Sequence, residues 1–173
     1  MSHDRLKIIG IDNGLDGGIA ALEGDFLTFK TVMPVIGTKG KGKREYDATA
    51  IAFIIKNLLP DYVIIEKAQA FRGQGVTSTF NTGKGFGIML GILSAMAVRY
   101  EVVTPRTWQK DMFHGLNVTD TKQCSEIVAK RLWPSQQWTA TPRSKKAHDG
   151  MTDAALIAEY GRRLVGRNQK YVS

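Results

Sequence analysis

Four carboxylates of this 173-residue chain stand where charge is expensive to keep. Asp12 closes the apolar run Leu6-Lys7-Ile8-Ile9-Gly10-Ile11, and Glu66 closes Tyr62-Val63-Ile64-Ile65. Such runs read as buried strands. A charge at the end of a buried strand is costly unless a cation or a metal compensates it. Two strand-end carboxylates side by side in one sheet would supply half of a Mg²⁺ site, since that ion prefers hard oxygen ligands. The other half is offered near the C-terminus by His148-Asp149-Gly150-Met151-Thr152-Asp153. Asp149 and Asp153 are spaced i,i+4 and share a helix face, where like charges repel by about 0.2–0.5 kcal/mol. That face continues through Leu156, Ile157, Tyr160 and Leu164, so the two acids extend a buried stripe. Each residue also has a plainer reading. Asp149 could be an N-terminal cap and Asp153 a partner of the helix dipole. Asp12-Asn13-Gly14 could simply start a turn, and Glu66 could be an exposed strand end. The joint pattern favours a metal.

The elements that must position these groups follow from periodicity and punctuation. Residues 6–12, 17–22 and 26–32 read as three strands with tight links, an antiparallel meander. A glycine-spaced basic loop spans 37–44. Asp47 can cap a helix running to Leu59, with Ile51, Ile54, Ile55, Leu58 and Leu59 on one face. After the Glu66 strand, residues 67–83 read as a loop. A helix is predicted over 84–98 and a strand over 100–103, and Thr104-Pro105 then opens a short helix that continues past Trp108. Another helix covers about 120–132, with Cys124, Ile127, Val128 and Leu132 inward. Residues 134–147 read as a flexible polar loop, and a last helix covers 149–164. The order βββ-α-β-α-β-α-α predicts an α/β fold with a mixed five-stranded sheet, its later strands parallel through right-handed crossovers and flanked by helices. No repeat or long linker divides residues 1–173, which are expected to form one domain.

Composition narrows the partner. Lys plus Arg is 24 against 16 Asp plus Glu, a formal net charge of +8, and the pI is about 9.7. This favours a polyanion, most often nucleic acid. Lys39, Lys41, Lys43 and Arg44 alternate with glycines and can drape along a backbone, where phosphate contacts position without reading sequence. Arg143, Lys145 and Lys146 precede the acidic helix and could guide a polyanion to it. Cys124 is the only cysteine, so no intrachain disulfide is possible and a reducing compartment is expected. No stretch reaches the roughly 20 apolar residues of a membrane span, and the first residues lack a signal peptide's apolar core. A cytoplasmic, organellar or nucleoid-associated location, without membrane and without secretion, is expected.

The stretches IGIDNGLDGG (9–18), VIIEKA (63–68) and HDGMTDAALIAEYG (148–161) resemble the RuvC group of Holliday-junction resolvases, within the ribonuclease-H-like nuclease superfamily. GKGKREYDATAI (40–51), GKGFGIMLGIL (83–93), TPRTWQKDMF (104–113) and TDTKQCSEIVAKRLWP (119–134) are most similar to the chloroplast-type resolvases, so the resemblance covers nearly the whole chain. It implies a ribonuclease-H-like fold and resolution of four-way junctions by paired, symmetric nicks that leave a 5′-phosphate and a 3′-hydroxyl. It further implies two Mg²⁺ ions, replaceable by Mn²⁺, with one activating water and the other stabilising the leaving oxygen. Asp12 would bridge both ions, Glu66 would hold one, and Asp149 with Asp153 the other. Family members place an Asp or a His before the last acid, so His148 remains the alternative to Asp149. Lys110 and Lys122 resemble phosphate-contacting lysines of the family, and Arg72 and Lys84 join the expected DNA contacts. Phe71 could stack on an unpaired base, with structural packing as the alternative. Gly87, Gly91 and Ala95 form a small-residue stripe at i+4 spacing on the helix predicted over 84–98. The resemblance assigns that helix to a homodimer interface; packing within its own core is the alternative. Trp108 and Trp133 read as core. Three competing functions keep parts of the pattern: a fork, flap or RNA nuclease of the same fold, an inert DNA-binding dimer, and a fragment of an actin-like phosphate-binding ATPase. The paired-Asp helix argues against the last, and the intact acidic set against the second.

Overall fold

The run Lys7–Asp12 forms β1, the centre of the sheet, because both of its faces are covered and its Ile8, Ile9 and Ile11 are fully buried. A computed structural model of the chain describes residues 5–37, 44–69, 73 and 75–169. β2 (Gly18–Glu23) and β3 (Phe26–Val32) complete the antiparallel meander. β6 (Tyr62–Glu66) joins β1 in parallel on the other side, and β7 (Tyr100–Val103) joins β6 in parallel. The five-stranded order is therefore β3-β2-β1-β6-β7. A separate two-stranded ribbon, β4 (Val35–Ile36) with β5 (Glu45–Tyr46), flanks the basic loop and was not foreseen; two-residue strands are too short to show a period.

Helices cover both faces. α1 (Ala48–Leu58) starts where Asp47 Oδ1 accepts from the Ala50 amide at 2.9 Å. With α2 (Val76–Ala95) it buries Ile9, Ile11, Val63 and Ile65. α3 (Pro105–Met112), α4 (Thr121–Leu132) and α5 (Asp149–Gln169) cover the opposite face, where Ile8, Ile64 and Trp108 lie. Burying a side chain such as Leu156 or Ile157, both fully enclosed, contributes about 1.5–3 kcal/mol.

Three expectations require correction. Leu59 is not on the apolar face of α1; it is 75% exposed and ends the helix at a positive φ of 49°. Residues 76–83 are helical rather than loop, because α2 begins at Val76 behind Gly75 and ends at Ala95. Its polar first half is exposed, and Thr82 bonds back to the Ser78 carbonyl at 3.0 Å, which hides the helical period. The segment 134–147 is anchored, not free. Trp138 in its middle is buried, lies 6.0 Å from the Trp133 ring, and accepts through its carbonyl from the His148 amide at 2.6 Å.

Candidate active site

Strand alternation decides where the first two carboxylates point. Ile11 pairs with Ile65 across the parallel β1–β6 ladder, so Asp12 and Glu66 follow as neighbours at the carboxyl ends of both strands. Successive strand side chains alternate between faces. Ile9, Ile11 and Ile65 face α1 and α2, so Asp12 and Glu66 face the α5 layer. There α5 comes unusually close. An added Cβ on Gly10 would lie 2.1 Å from the Ala154 carbonyl oxygen, and one on Gly18 would lie 2.5 Å from that of Gly150. Gly150 and Gly161 of α5 are equally tight, against Gly17 and Ile64. This seam brings the first turns of α5 beside the ends of β1 and β6. It also encloses α5 nearly all round from Gly150 to Gly161, more than the single stripe expected.

The resulting cluster is anionic and desolvated. Asp12 is pushed well above the usual carboxylate range, first by burial and then by Asp153, Glu66 and Asp149. Asp153 is pushed up to about 7, chiefly by burial; a hydrogen bond from Ser125 opposes this, Glu66 and Asp149 add to it, and Lys122 lowers it. Its Oδ1 is buried with no hydrogen-bond partner among the described residues. Glu66 is raised by burial and held down by Trp108, whose indole N–H donates to Oε2 at 2.6 Å. Asp149 is more open and pairs with Lys122 Nζ at 2.7 Å. His148 precedes it, and its carbonyl accepts from the Met151 and Thr152 amides at 3.0 and 3.2 Å. Among the described residues no three His, Cys, Asp or Glu side chains converge to ligating distance as they stand. The donor chemistry nevertheless fits a hard divalent cation: all four are carboxylates, they repel one another, and one buried oxygen is unsatisfied.

Sequence reasoning missed two neighbours. Trp108 is core, as expected, being fully buried, but it also orients Glu66. Ser125, 1% exposed, bonds Asp153 from α4. Its inward position beside Cys124 was the available signal.

The expected DNA contacts are dispersed. Lys39, Lys41, Lys43, Phe71 and Arg72 lie outside the described residues. Arg44 makes a two-pronged bond to Asp16 at 3.0 and 3.1 Å, and Lys84 pairs with Glu45 at 3.0 Å. Lys122 adjoins the carboxylates through Asp149. Lys110 is exposed on α3, and Arg143, Lys145 and Lys146 are exposed just before α5. Gly87, Gly91 and Ala95 face outward. Among the described residues an added Cβ on either glycine would meet nothing within 4 Å, so packing against the described core does not account for the stripe.

Sheet order and helix placement define the ribonuclease H-like fold in the form that RuvC-type resolvases have. Three solved structures show the likeness. The yeast mitochondrial Holliday junction resolvase matches with a TM-score of 0.65 and 14% identity, over 97% of this chain and 82% of that one. Thermus thermophilus RuvC in complex with a Holliday junction substrate matches with a TM-score of 0.61 and 15% identity, over 92% and 96%. The fowlpox virus resolvase with substrate Holliday junction DNA matches with a TM-score of 0.51 and 14% identity, over 92% and 99%. No family model and no curated protein matches the sequence. No helix among the described residues is long and apolar enough to cross a membrane.

Proposed function

We propose that this chain is one nuclease domain that resolves four-way DNA junctions, acting as a homodimer with divalent metal. The observation that carries the reading is the gathering of Asp12, Glu66, Asp149 and Asp153 around the carboxyl ends of the central strands β1 and β6, on a fold shared with resolvases solved on junction DNA. Two Mg²⁺ ions there would activate water and stabilise the leaving 3′ oxygen, giving a 5′-phosphate and a 3′-hydroxyl. Asp12, whose charge is opposed by all three other acids, would be the ligand shared by both ions. Glu66 is oriented by Trp108 and Asp153 by Ser125. Lys122 binds Asp149 and can be released to a phosphate, and Lys110, Arg143, Lys145 and Lys146 offer further phosphate contacts. The outward stripe Gly87, Gly91, Ala95 permits close approach of a second copy. Two-fold pairing would set two sites on opposed strands for symmetric nicks. The closer kinship with chloroplast-type resolvases rests on the four sequence stretches above.

The test is cleavage of synthetic four-way junction, fork, flap and linear duplex with Mg²⁺. Paired symmetric nicks confined to the junction are expected, and equal cutting of every substrate would refute junction specificity. Asp12→Asn should abolish cutting and keep binding. Asp149→Ala and His148→Ala, compared for metal requirement, decide which of the two is the third ligand.

A further inference from the structure

A basic groove runs along α3 away from the carboxylates. Its first stretch, a cleft of about 620 Å³, lies between Gln69, just beyond β6, and the α3 residues Arg106 and Lys110. Lys110 also lines the next stretch, about 690 Å³, whose walls come from α3, α4 and α5. Lys110, Arg131, Arg163 and Arg167 line this second cleft against a single acid, Asp111, and the mostly buried Tyr160 helps to line it. Asp111 fixes two of these cations in place. It pairs with Arg167 and, at 3.4 Å, with Arg163. Arg163 also donates to the buried Glu159 at 2.8 Å, which Arg162 holds from its other side at 2.7 Å. Arg163 and Arg167 are thus set by an ion-pair ladder, whereas Lys110 and Arg131 have no ion-pair partner among the described residues.

Length and continuity identify the occupant. Asp153 and Arg167 are fourteen residues apart on one helix, about 21 Å at 1.5 Å per residue. That is about six base pairs at 3.4 Å each. A ligand that enters at the carboxyl ends of β1 and β6 must tolerate the carboxylates there, which a nuclease substrate does and an acidic peptide does not. A duplex backbone also presents its charges at regular spacing along such a length. We propose that this groove carries the phosphate backbone of one duplex arm, so that the protein grips DNA about six base pairs beyond the strand it cuts. The inference rests on the nuclease reading and adds to it a second, distal contact centred on Arg131.

The experiment is backbone-protection footprinting of a four-way junction by the full chain in EDTA, with salt titration of binding. Wild type should protect one arm out to about six base pairs. Arg131→Glu should lose the distal protection, bind about five- to tenfold more weakly at physiological salt, and lower the salt slope by about one or more; Arg131→Lys should restore all three. Arg131 is exposed and unpaired, so the fold is expected to persist in both variants. Distal protection unchanged in Arg131→Glu overturns the groove even if the wild type cuts junctions normally. So does a poly-glutamate peptide whose binding, unlike that of DNA, is lost in the variant. A wild type that protects the arm but cuts nothing with Mg²⁺ overturns the nuclease reading and leaves the groove supported.

Discussion

Asp153→Asn should make the metal-free protein more stable while destroying its nuclease activity. Asp153 is buried beside Asp12 and Glu66, and its carboxyl is pushed up from 3.8 to about 7. An acid whose folded value is raised holds its proton more tightly when folded than when unfolded. Between about pH 4 and pH 7 the folded state therefore binds more protons, and stability falls as pH rises through that window before levelling. The gap is about three pKa units, which at about 1.4 kcal/mol each is about 4 kcal/mol of destabilisation above pH 7. Asparagine is neutral at every pH but must still find partners for its amide, which costs about 1–3 kcal/mol if one goes unmade. A net gain of about 2 kcal/mol at pH 8 corresponds to about 4–8 °C in Tm for a chain of this size. The assay is thermal unfolding in EDTA at pH 8 and at pH 4.5, repeated with Mg²⁺. The gain should be about 2 kcal/mol at pH 8, turn into a loss of about 1 kcal/mol at pH 4.5 because the amide cost remains while the charge penalty has mostly gone, and reverse at pH 8 with Mg²⁺, which stabilises the wild type and not the variant. A variant that is less stable at pH 8 without metal, or a gain independent of pH, would refute the claim that Asp153 is a desolvated, uncompensated charge.

Two further substitutions probe the supports. Trp108→Phe keeps an aromatic ring near Phe113 but removes the 2.6 Å bond to Glu66; the Mg²⁺ concentration for half-activity should rise about 10–100-fold, and the acidic limb of the pH–rate profile should move to higher pH, because Glu66 loses the bond that lowers its pKa. An unchanged metal requirement with an unchanged profile would show that the bond has no such role. Gly10→Ala places a methyl 2.1 Å from the Ala154 carbonyl oxygen, in backbone that cannot yield cheaply; chemical denaturation should report a loss of about 3 kcal/mol or more, and a loss below about 1 kcal/mol would disprove the close seam.

The sheet was legible because buried strands announce themselves as continuous apolar runs. Lys7–Asp12 and Tyr62–Glu66 were found almost to the residue, and so were the caps Asp47 and Thr104, whose side chains accept from the Ala50 and Thr107 amides. The first half of α2 was illegible for the opposite reason. An exposed helix rich in Gly, Ser and Thr has no apolar period, and its composition matches that of a loop. The α5 stripe was seen as Leu156, Ile157 and Tyr160, but the residues that seat the helix are Gly150, Ala154, Ala158 and Gly161, which carry almost no hydropathy signal. Within the site, four carboxylates could be listed from spacing and resemblance. The bond from Trp108 could not, because residues 42 positions apart leave no local trace, and Ser125 was signalled only by its inward position beside Cys124.

The glycine seam and the acidic cluster are one design. Asp153 lies on α5 one residue before Ala154, and it is Ala154 that touches the space where a Gly10 side chain would be. Gly10 and Asp12 are alternate residues of the same strand and face the same side, so the distance that lets α5 rest on bare backbone at Gly10 also brings Asp153 within the field of Asp12. A side chain at Gly10 would lift the helix, relieve the repulsion between the two acids and open the site to water. Stability would then be lost from the seam and partly recovered from the carboxylates, which predicts that Gly10→Ala and Asp153→Asn are not additive. Residues this close share both packing and charge, and the double variant should equal the sum of the singles only if the helix has not lifted, and fall below it if lifting has already separated the charges. If the helix does lift, Asp153→Asn on the Gly10→Ala background should give less than its own gain at pH 8, and that deficit measures how much of the Asp12–Asp153 repulsion the seam enforces.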